Sequence, residues 1–253
     1  MRGALMQRVY VWQAAVRMFH WINAACIVTL LVTGLLIGNP LAFRSSYEAS
    51  AGYWFGTVRF IHFATAYVLV LNFLFRVYWG FVGGNKYATW RTFLPLTKAQ
   101  WQDIYRVLRV DIMLGKVEHP LQEVGHNALA RVSYFVSFLV TLALAATGFA
   151  LYAPMSDARL PRLFTWVVPL MGGDQNVRQW HHILMWFFPV FILIHVYLTF
   201  YHDHVEGRGV MSSMAGGWKF IDAPHAHAHP PAPAPAPSST PAMAAPPASG
   251  GAS

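Results

Sequence analysis

Residues 178–200 read RQWHHILMWFFPVFILIHVYLTF, an apolar run that contains three histidines. A helix needs about 20 predominantly apolar residues to cross a hydrocarbon core about 30 Å thick, and this run is long enough. Imidazole is costly to place in hydrocarbon, so an ionisable residue within a span is a functional candidate. The run therefore predicts a membrane-spanning helix and raises the question of what His181, His182 and His195 do there.

The composition of the whole chain has the same membrane character. Of its 253 residues 56% are hydrophobic and 11% are charged, whereas soluble domains carry about 25% charged residues. Four apolar blocks predict spans at about 18–43, 57–80, 130–153 and 179–202. The blocks lack sustained alternation of period two, so they predict helices and not barrel strands. We predict an all-α integral membrane four-helix bundle over residues 1–222.

The remaining features bound the class of protein. Residues 223–253 are rich in proline, alanine and histidine, and this composition predicts a disordered tail. The first apolar block is long enough to stay as a span, so we expect no cleavable signal peptide. Cys26 is the single cysteine. That excludes an intramolecular disulfide, a cysteine-ligated iron–sulfur cluster and a nickel–iron centre held by this chain.

The distribution of positive charge predicts the orientation of the bundle. Four spans put both termini on one side, and 13 of the 18 lysine and arginine residues fall on that side. The excess predicts that both termini are cytoplasmic. The net charge of +8 then reflects topology and contact with membrane lipid, and no soluble domain supports a nucleic-acid partner. The segment 83–130, which connects spans two and three on the inner side, contains residues 101–115. These residues have the pattern of an amphipathic helix on the membrane surface.

Four histidines in or beside the spans can be sorted by depth. His181 and His195 are 14 residues apart, about 1400° of helical rotation, so they share a face and differ in height by about 21 Å. His182 is rotated from His181 by about 100°. Span one begins at the inner surface, so His20 matches His195 in depth. Span two begins at the outer surface, so His62 matches His181.

Two imidazole pairs at two depths are what two stacked haems would require. Neutral imidazole is a good iron ligand, and facing helices of a bundle can hold a porphyrin between two of them. The alternatives are histidines that hydrogen-bond between helices or that form a proton or ion relay. The pattern predicts His20 and His195 as ligands of an inner b haem, and His62 and His181 as ligands of an outer one.

Small and cationic residues in the spans are compatible with this interpretation. The TG pair at 33–34, Gly38 and AATG at 145–148 would admit a porphyrin or would serve ordinary helix contacts equally well. Haem propionates need cationic partners near the membrane surface. The candidates, which are also compatible with a topology signal, are Arg17 and Arg76 on the inner side and Arg59 and Arg178 on the outer side.

Several motifs together resemble one known family. They are VYVWQAAVRMFHWINA (9–24), RFIHFATAY (59–67), GHNALA (125–130), TGFALY (147–152), WHHILMW (180–186) and IHVYL (194–198). Over about residues 9–221 the chain resembles the b-type cytochrome subunit of membrane-bound nickel–iron hydrogenases. The resemblance implies the same four histidine ligands, with histidine not required at position 182.

The resemblance also implies a function and partners. The hydrogenase small and large subunits would lie on the periplasmic side of the bacterial inner membrane, and the small subunit's iron–sulfur chain would pass electrons to the outer haem. The inner haem would then reduce a quinone of the membrane pool, and the chain would anchor the hydrogenase without hydrogen chemistry of its own. Weak candidates for a quinone site are His119, His126, His202 and His204. The rivals are the same scaffold serving a formate dehydrogenase or another dehydrogenase, an ion-conducting protein and a purely structural anchor.

Overall fold

The computed structural model shows a mostly helical chain and describes it in several separate residue ranges. The described residues are 6–40, 53–85, 87–89, 98, 101, 102, 105, 128–207 and 209–222. Gln7–Ile221 form one compact unit. The tail at 223–253, most of the amphipathic segment at 101–115, His119 and His126 lie outside the described residues.

Four stretches of the described chain are long and apolar enough to cross a membrane, as predicted. They are Ala14–Gly38, Trp54–Val82, Ala130–Met155 and Asp174–His204. The first three contain helices α1 (Ala14–Gly38), α2 (Trp54–Val82) and α3 (Ala128–Tyr152). Helix α1 ends at Gly38, before the predicted residue 43, because Pro40 disfavours helical geometry at Asn39.

Short helices follow α3 and lead to the fourth span. A 3₁₀ turn at Ala153–Met155 precedes α4 (Arg159–Arg162) and α5 (Val167–Leu170), which pack on α3. The fourth span consists of two helices, α6 (Asp174–Met185) and α7 (Phe187–Glu206), and not of the single helix that we predicted.

The break in the fourth span has a local cause. Pro189 has no backbone N–H, and its ring would clash with the carbonyl four residues earlier, that of Met185. Trp186, which separates α6 from α7, donates its backbone N–H to the carbonyl of Ile183 at 3.1 Å. This bond to the third preceding residue tightens one turn. The break therefore lies between His181 and His195.

An apolar layer joins the four spans at mid-height. Helix α1 packs against α2, and α3 packs against α6. The buried members of the layer are Cys26, Ile27, Leu69 and Phe188, with Leu30, Leu31, Val140, Leu144, Phe187, Phe191 and Ile192 packed around them. Phe188 is seven residues from His181 and seven from His195. The layer thus separates two histidine levels.

Arg76 joins three of the spans. Its side chain is buried in α2, its Nε donates to Tyr134 Oη at 2.7 Å and its Nη2 donates to the carbonyl of Ala88 at 3.0 Å. The guanidinium also lies 5.7 Å from the ring centroid of Phe19. A buried charge needs such hydrogen-bonded partners. Arg76 is therefore committed to structural contacts, and it is a poorer candidate for a propionate partner than the sequence suggested.

A small sheet connects the two ends of the unit. Strand β1 (Met6–Tyr10) pairs with β2 (Trp218–Asp222), which follows helix α8 (Val210–Gly216). The backbone N–H groups of Val11 and Trp12 both donate to the carbonyl of Gly217, at 2.8 and 3.1 Å. The all-α prediction missed this sheet, because five-residue strands outside the spans leave little periodicity to read.

Gly217 lies in this junction at a position that disfavours any side chain. Its φ is +87°, and a Cβ would lie 2.5 Å from the Tyr10 ring and 2.6 Å from the Trp12 carbonyl oxygen. We expect Gly217→Ala to destabilise the fold by about 1–3 kcal/mol, the cost of a strained left-handed residue. The thermal unfolding midpoint of the purified protein in detergent should fall.

The neighbouring glycine is a matched control. A Cβ at Gly216 would meet Trp218 at an ordinary 4.0 Å. Gly216→Ala should therefore keep the wild-type midpoint, and equal midpoints for the two variants would contradict the role assigned to Gly217.

Candidate functional site

His20 and His195 come from helices at opposite ends of the sequence and meet ring to ring. Their ring centroids are 6.3 Å apart with an interplanar angle of 48°. Metal–imidazole bonds are about 2 Å long, so two such bonds and the two half-rings span about 6 Å. The centroid distance is therefore compatible with one metal ion between the two rings.

The surroundings of this pair are aromatic. The ring of His195 stacks on Phe191 at 5.5 Å and 12°, and Phe191 stacks on Phe187 at 5.6 Å and 13°. Nδ1 of His20 is buried and finds no hydrogen-bond partner among the described residues. A buried polar atom without a protein partner calls for an explanation, and a bound group is one.

His62 and His181 form the second pair, and each is held by a threonine of a neighbouring helix. Nδ1 of His62 in α2 lies 2.9 Å from Thr33 Oγ1 in α1. Nδ1 of His181 in α6 lies 2.9 Å from Thr147 Oγ1 in α3. The two imidazoles are close enough to interact electrostatically. This pair therefore has ring orientations that are fixed by hydrogen bonds.

A glycine follows each of these threonines and makes room for the same histidine. A Cβ at Gly34 would lie 3.4 Å from Cε1 of His62, and a Cβ at Gly148 would lie 3.0 Å from Cε1 of His181. The sequence left these glycines open between porphyrin contact and helix packing. The closest neighbours of both glycines are the histidine rings themselves, so each TG pair positions one imidazole: its threonine bonds the ring and its glycine leaves space for it.

His182 has different neighbours from His181. Its ring is exposed, lies 3.7 Å from a Cβ position at Gly38, and meets Trp186 edge-on at 6.3 Å and 79°. It therefore faces the end of α1, while His181 faces α3. The two adjacent histidines are not equivalent.

Besides Arg76, the three other predicted propionate partners have distinct contacts. Arg17 donates through Nη1 to the carbonyl of Ala215, and Arg59 donates through Nη2 to Met155 Sδ at 2.8 Å. Arg178 pairs with Asp174 at 3.1 Å, with both side chains more than half exposed. Among the described residues, these contacts use only part of the donors of each guanidinium, so donors remain for a further acceptor.

A repeated motif links these arginines to the histidines. Each precedes a candidate histidine by three residues, as RMFH at 17–20, RFIH at 59–62 and RQWH at 178–181. Residues three apart on a helix lie on the same side. The sequence-based prediction did not include this motif. It did not include Thr33 and Thr147 either, for which the repeated TG pair was the available signal.

A helical membrane bundle with paired imidazoles between its helices defines a class of cofactor-binding membrane protein. The chain belongs to one family of that class, prokaryotic cytochrome b561, whose model matches residues 11–217. Membership and the four apolar helices make it a multi-pass membrane cytochrome of the b type, with haem b as its cofactor. The family resemblance predicted from the motifs is confirmed.

Named relatives cover most of the chain. A probable Ni/Fe-hydrogenase B-type cytochrome subunit of Azotobacter vinelandii is 43% identical over 217 residues, 84% of this chain and 89% of that protein. The protein of the same name in Cupriavidus necator is 40% identical over 222 residues, 86% and 89% of the two chains. The probable Ni/Fe-hydrogenase 1 B-type cytochrome subunit of Escherichia coli K12 is 34% identical over 215 residues, 83% and 90%.

Proposed function

We propose that this protein is the dihaem cytochrome b subunit of a nickel–iron hydrogenase and that it carries electrons across the bacterial inner membrane. The observation that carries the proposal is the pairing of imidazoles at two levels of one bundle, with the ring centroids of one pair 6.3 Å apart. The names of the relatives support the assignment to a hydrogenase.

Four histidines would hold the two cofactors. His20 and His195 would ligate the inner haem, and His62 and His181 the outer one. When bound, haem iron supplies reversible one-electron chemistry. Arg17, Arg59 and Arg178 each lie one turn from a ligand, where a guanidinium can hydrogen-bond a propionate near the membrane surface.

The apolar layer between the two histidine levels would act as a barrier to water and ions. Ile27, Leu69 and Phe188 are buried there and offer no polar side-chain atom. Charged species meet a high cost in such a layer. It would keep water and ions out of the space between the two sites, so that electrons cross while protons do not.

The positive-charge bias supports an arrangement with both termini in the cytoplasm. The His62–His181 level then lies on the periplasmic side, where the iron–sulfur chain of the hydrogenase small subunit would deliver electrons from hydrogen oxidised in the large subunit. The lone Cys26 cannot hold a nickel–iron centre. The chain would thus anchor the hydrogenase and reduce quinone near the inner haem, where His202 and His204 lie at the end of the fourth span.

Haem quantification tests the cytochrome assignment in this form. We expect the purified full-length protein to contain two b haems per chain by pyridine haemochrome assay, with two midpoints in an optical redox titration. A protein without haem would refute the proposal and favour a histidine relay.

Copurification tests the partner. A tagged chain isolated from its own membranes should bring down the small and large hydrogenase subunits and should reduce quinone with hydrogen. Recovery of a formate dehydrogenase in their place would assign the same scaffold to that enzyme.

A further inference from the structure

Two threonines on different helices make the same pair of hydrogen bonds. Thr33 Oγ1 lies 2.6 Å from the carbonyl oxygen of Thr29, one turn earlier, and 2.9 Å from Nδ1 of His62. Thr147 Oγ1 lies 2.7 Å from the carbonyl oxygen of Ala143 and 2.9 Å from Nδ1 of His181. Each hydroxyl thus stands between a backbone carbonyl and an imidazole nitrogen.

The proton count of this arrangement fixes the state of the imidazole. A hydroxyl has one hydrogen, and a carbonyl oxygen can only accept. Two oxygens at 2.6 or 2.7 Å need a hydrogen between them, so each threonine donates to its own helix backbone. Its oxygen must then accept from Nδ1–H. In a neutral imidazole protonated at Nδ1, the lone pair of Nε2 is free to bind a metal.

The His20–His195 pair is held differently. Nδ1 of His20 has no hydrogen-bond partner among the described residues, and the ring of His195 is positioned by its stack on Phe191. One histidine pair therefore has hydroxyl acceptors behind it, and the other has ring contacts.

We propose that Thr33 and Thr147 are positioning residues that hold the outer histidines with Nε2 toward the haem and lower the reduction potential of that haem relative to the inner one. This proposal rests on the dihaem function proposed above. An acceptor behind a metal-bound histidine fixes its tautomer and raises its basicity. A more basic ligand stabilises the ferric over the ferrous state. The difference favours electron flow from the outer haem to the inner one.

Valine substitutions of the two threonines test the proposal directly. Valine keeps the shape of the side chain and removes the acceptor. In full-length protein purified with both haems, Thr33→Val and Thr147→Val should each raise the lower midpoint and leave the higher one unchanged. A tenfold change in the ferric-to-ferrous equilibrium corresponds to about 59 mV for one electron, which an optical titration resolves.

Three further variants separate this effect from a general disturbance of the fold. Thr141 is buried in the same helix as Thr147 and donates to the carbonyl of Ser137 at 2.8 Å, so Thr141→Val should leave both midpoints at wild-type values. Thr33→Ser and Thr147→Ser keep the hydroxyl and should also preserve the midpoints, whatever the stability of the valine variants.

The outcomes that would overturn the proposal are distinct from failure of the proposed function. If wild-type protein binds two haems and the valine variants keep both midpoints, the threonines do not tune the outer site. Serine variants shifted as far as the valine variants would overturn the proposal as well. Wild-type protein without haem would instead refute the dihaem function itself.

Discussion

His181→Ala is expected to lose one of the two proposed haems, whereas His182→Ala is expected to keep both. The His181 ring is hydrogen-bonded by Thr147, packs against Gly148 and is near His62. His182, in contrast, is exposed and faces Gly38. Without that imidazole, only one protein residue would hold the iron of that haem. A pyridine haemochrome assay on the purified variants should give one haem per chain for the first and two for the second.

The adjacent position makes this comparison a matched one, since both variants make the same truncation in one helix. His195→Ala should also fall to one haem, but with loss of the other midpoint in a redox titration. The ligand assignment is wrong if His182→Ala loses a haem while His181→Ala retains two.

Gly148→Ala should weaken the outer site although no proposed ligand is replaced. The added methyl would lie 3.0 Å from Cε1 of His181, well inside the usual contact distance of about 3.5–4.0 Å between carbon atoms. The imidazole must move, and its hydrogen bond to Thr147 is then strained. Loss of such a supporting contact costs about 10–100-fold in metal affinity, so transfer of the outer haem to an excess of apomyoglobin should accelerate by a similar factor.

Gly56→Ala provides the comparison for this experiment. Gly56 lies in helix α2, and a Cβ there would meet no atom of the described residues within 4 Å. The same change of residue should therefore leave haem transfer at the wild-type rate. Equal rates for the Gly148 and Gly56 variants would show that His181 does not depend on the close approach of α3.

The spans and the candidate ligands were accessible from the sequence, because both depend on local rules. Charge-free runs of sufficient length predict helices, and the helical rise then assigns depths to His20, His62, His181 and His195. The break at Trp186 was accessible too, since Pro189 stands in the sequence, but our estimate of a shared face assumed a continuous helix.

The contacts between distant segments were not accessible in this way. That Thr33 meets His62, or that Arg76 meets Tyr134, depends on how two helices are rotated against each other, and one sequence carries no local record of it. Arg76 illustrates the difficulty, because an arginine at a span end looks the same whether it faces lipid, a propionate or a neighbouring tyrosine.

The junction of the two chain ends protects the histidine that lies nearest to it. The first turns of a helix normally fray, and His20 is only six residues from the start of α1. Here two kinds of hydrogen bond tie this end of α1 to residues 214–217, beyond the fourth span. The donors are the backbone N–H groups of Val11 and Trp12 and the side chains of Arg17 and Trp21. Unwinding α1 from its end would require these cross-links to open together. We therefore expect His20, although it lies near a helix end, to unwind as slowly as a residue in the centre of a helix.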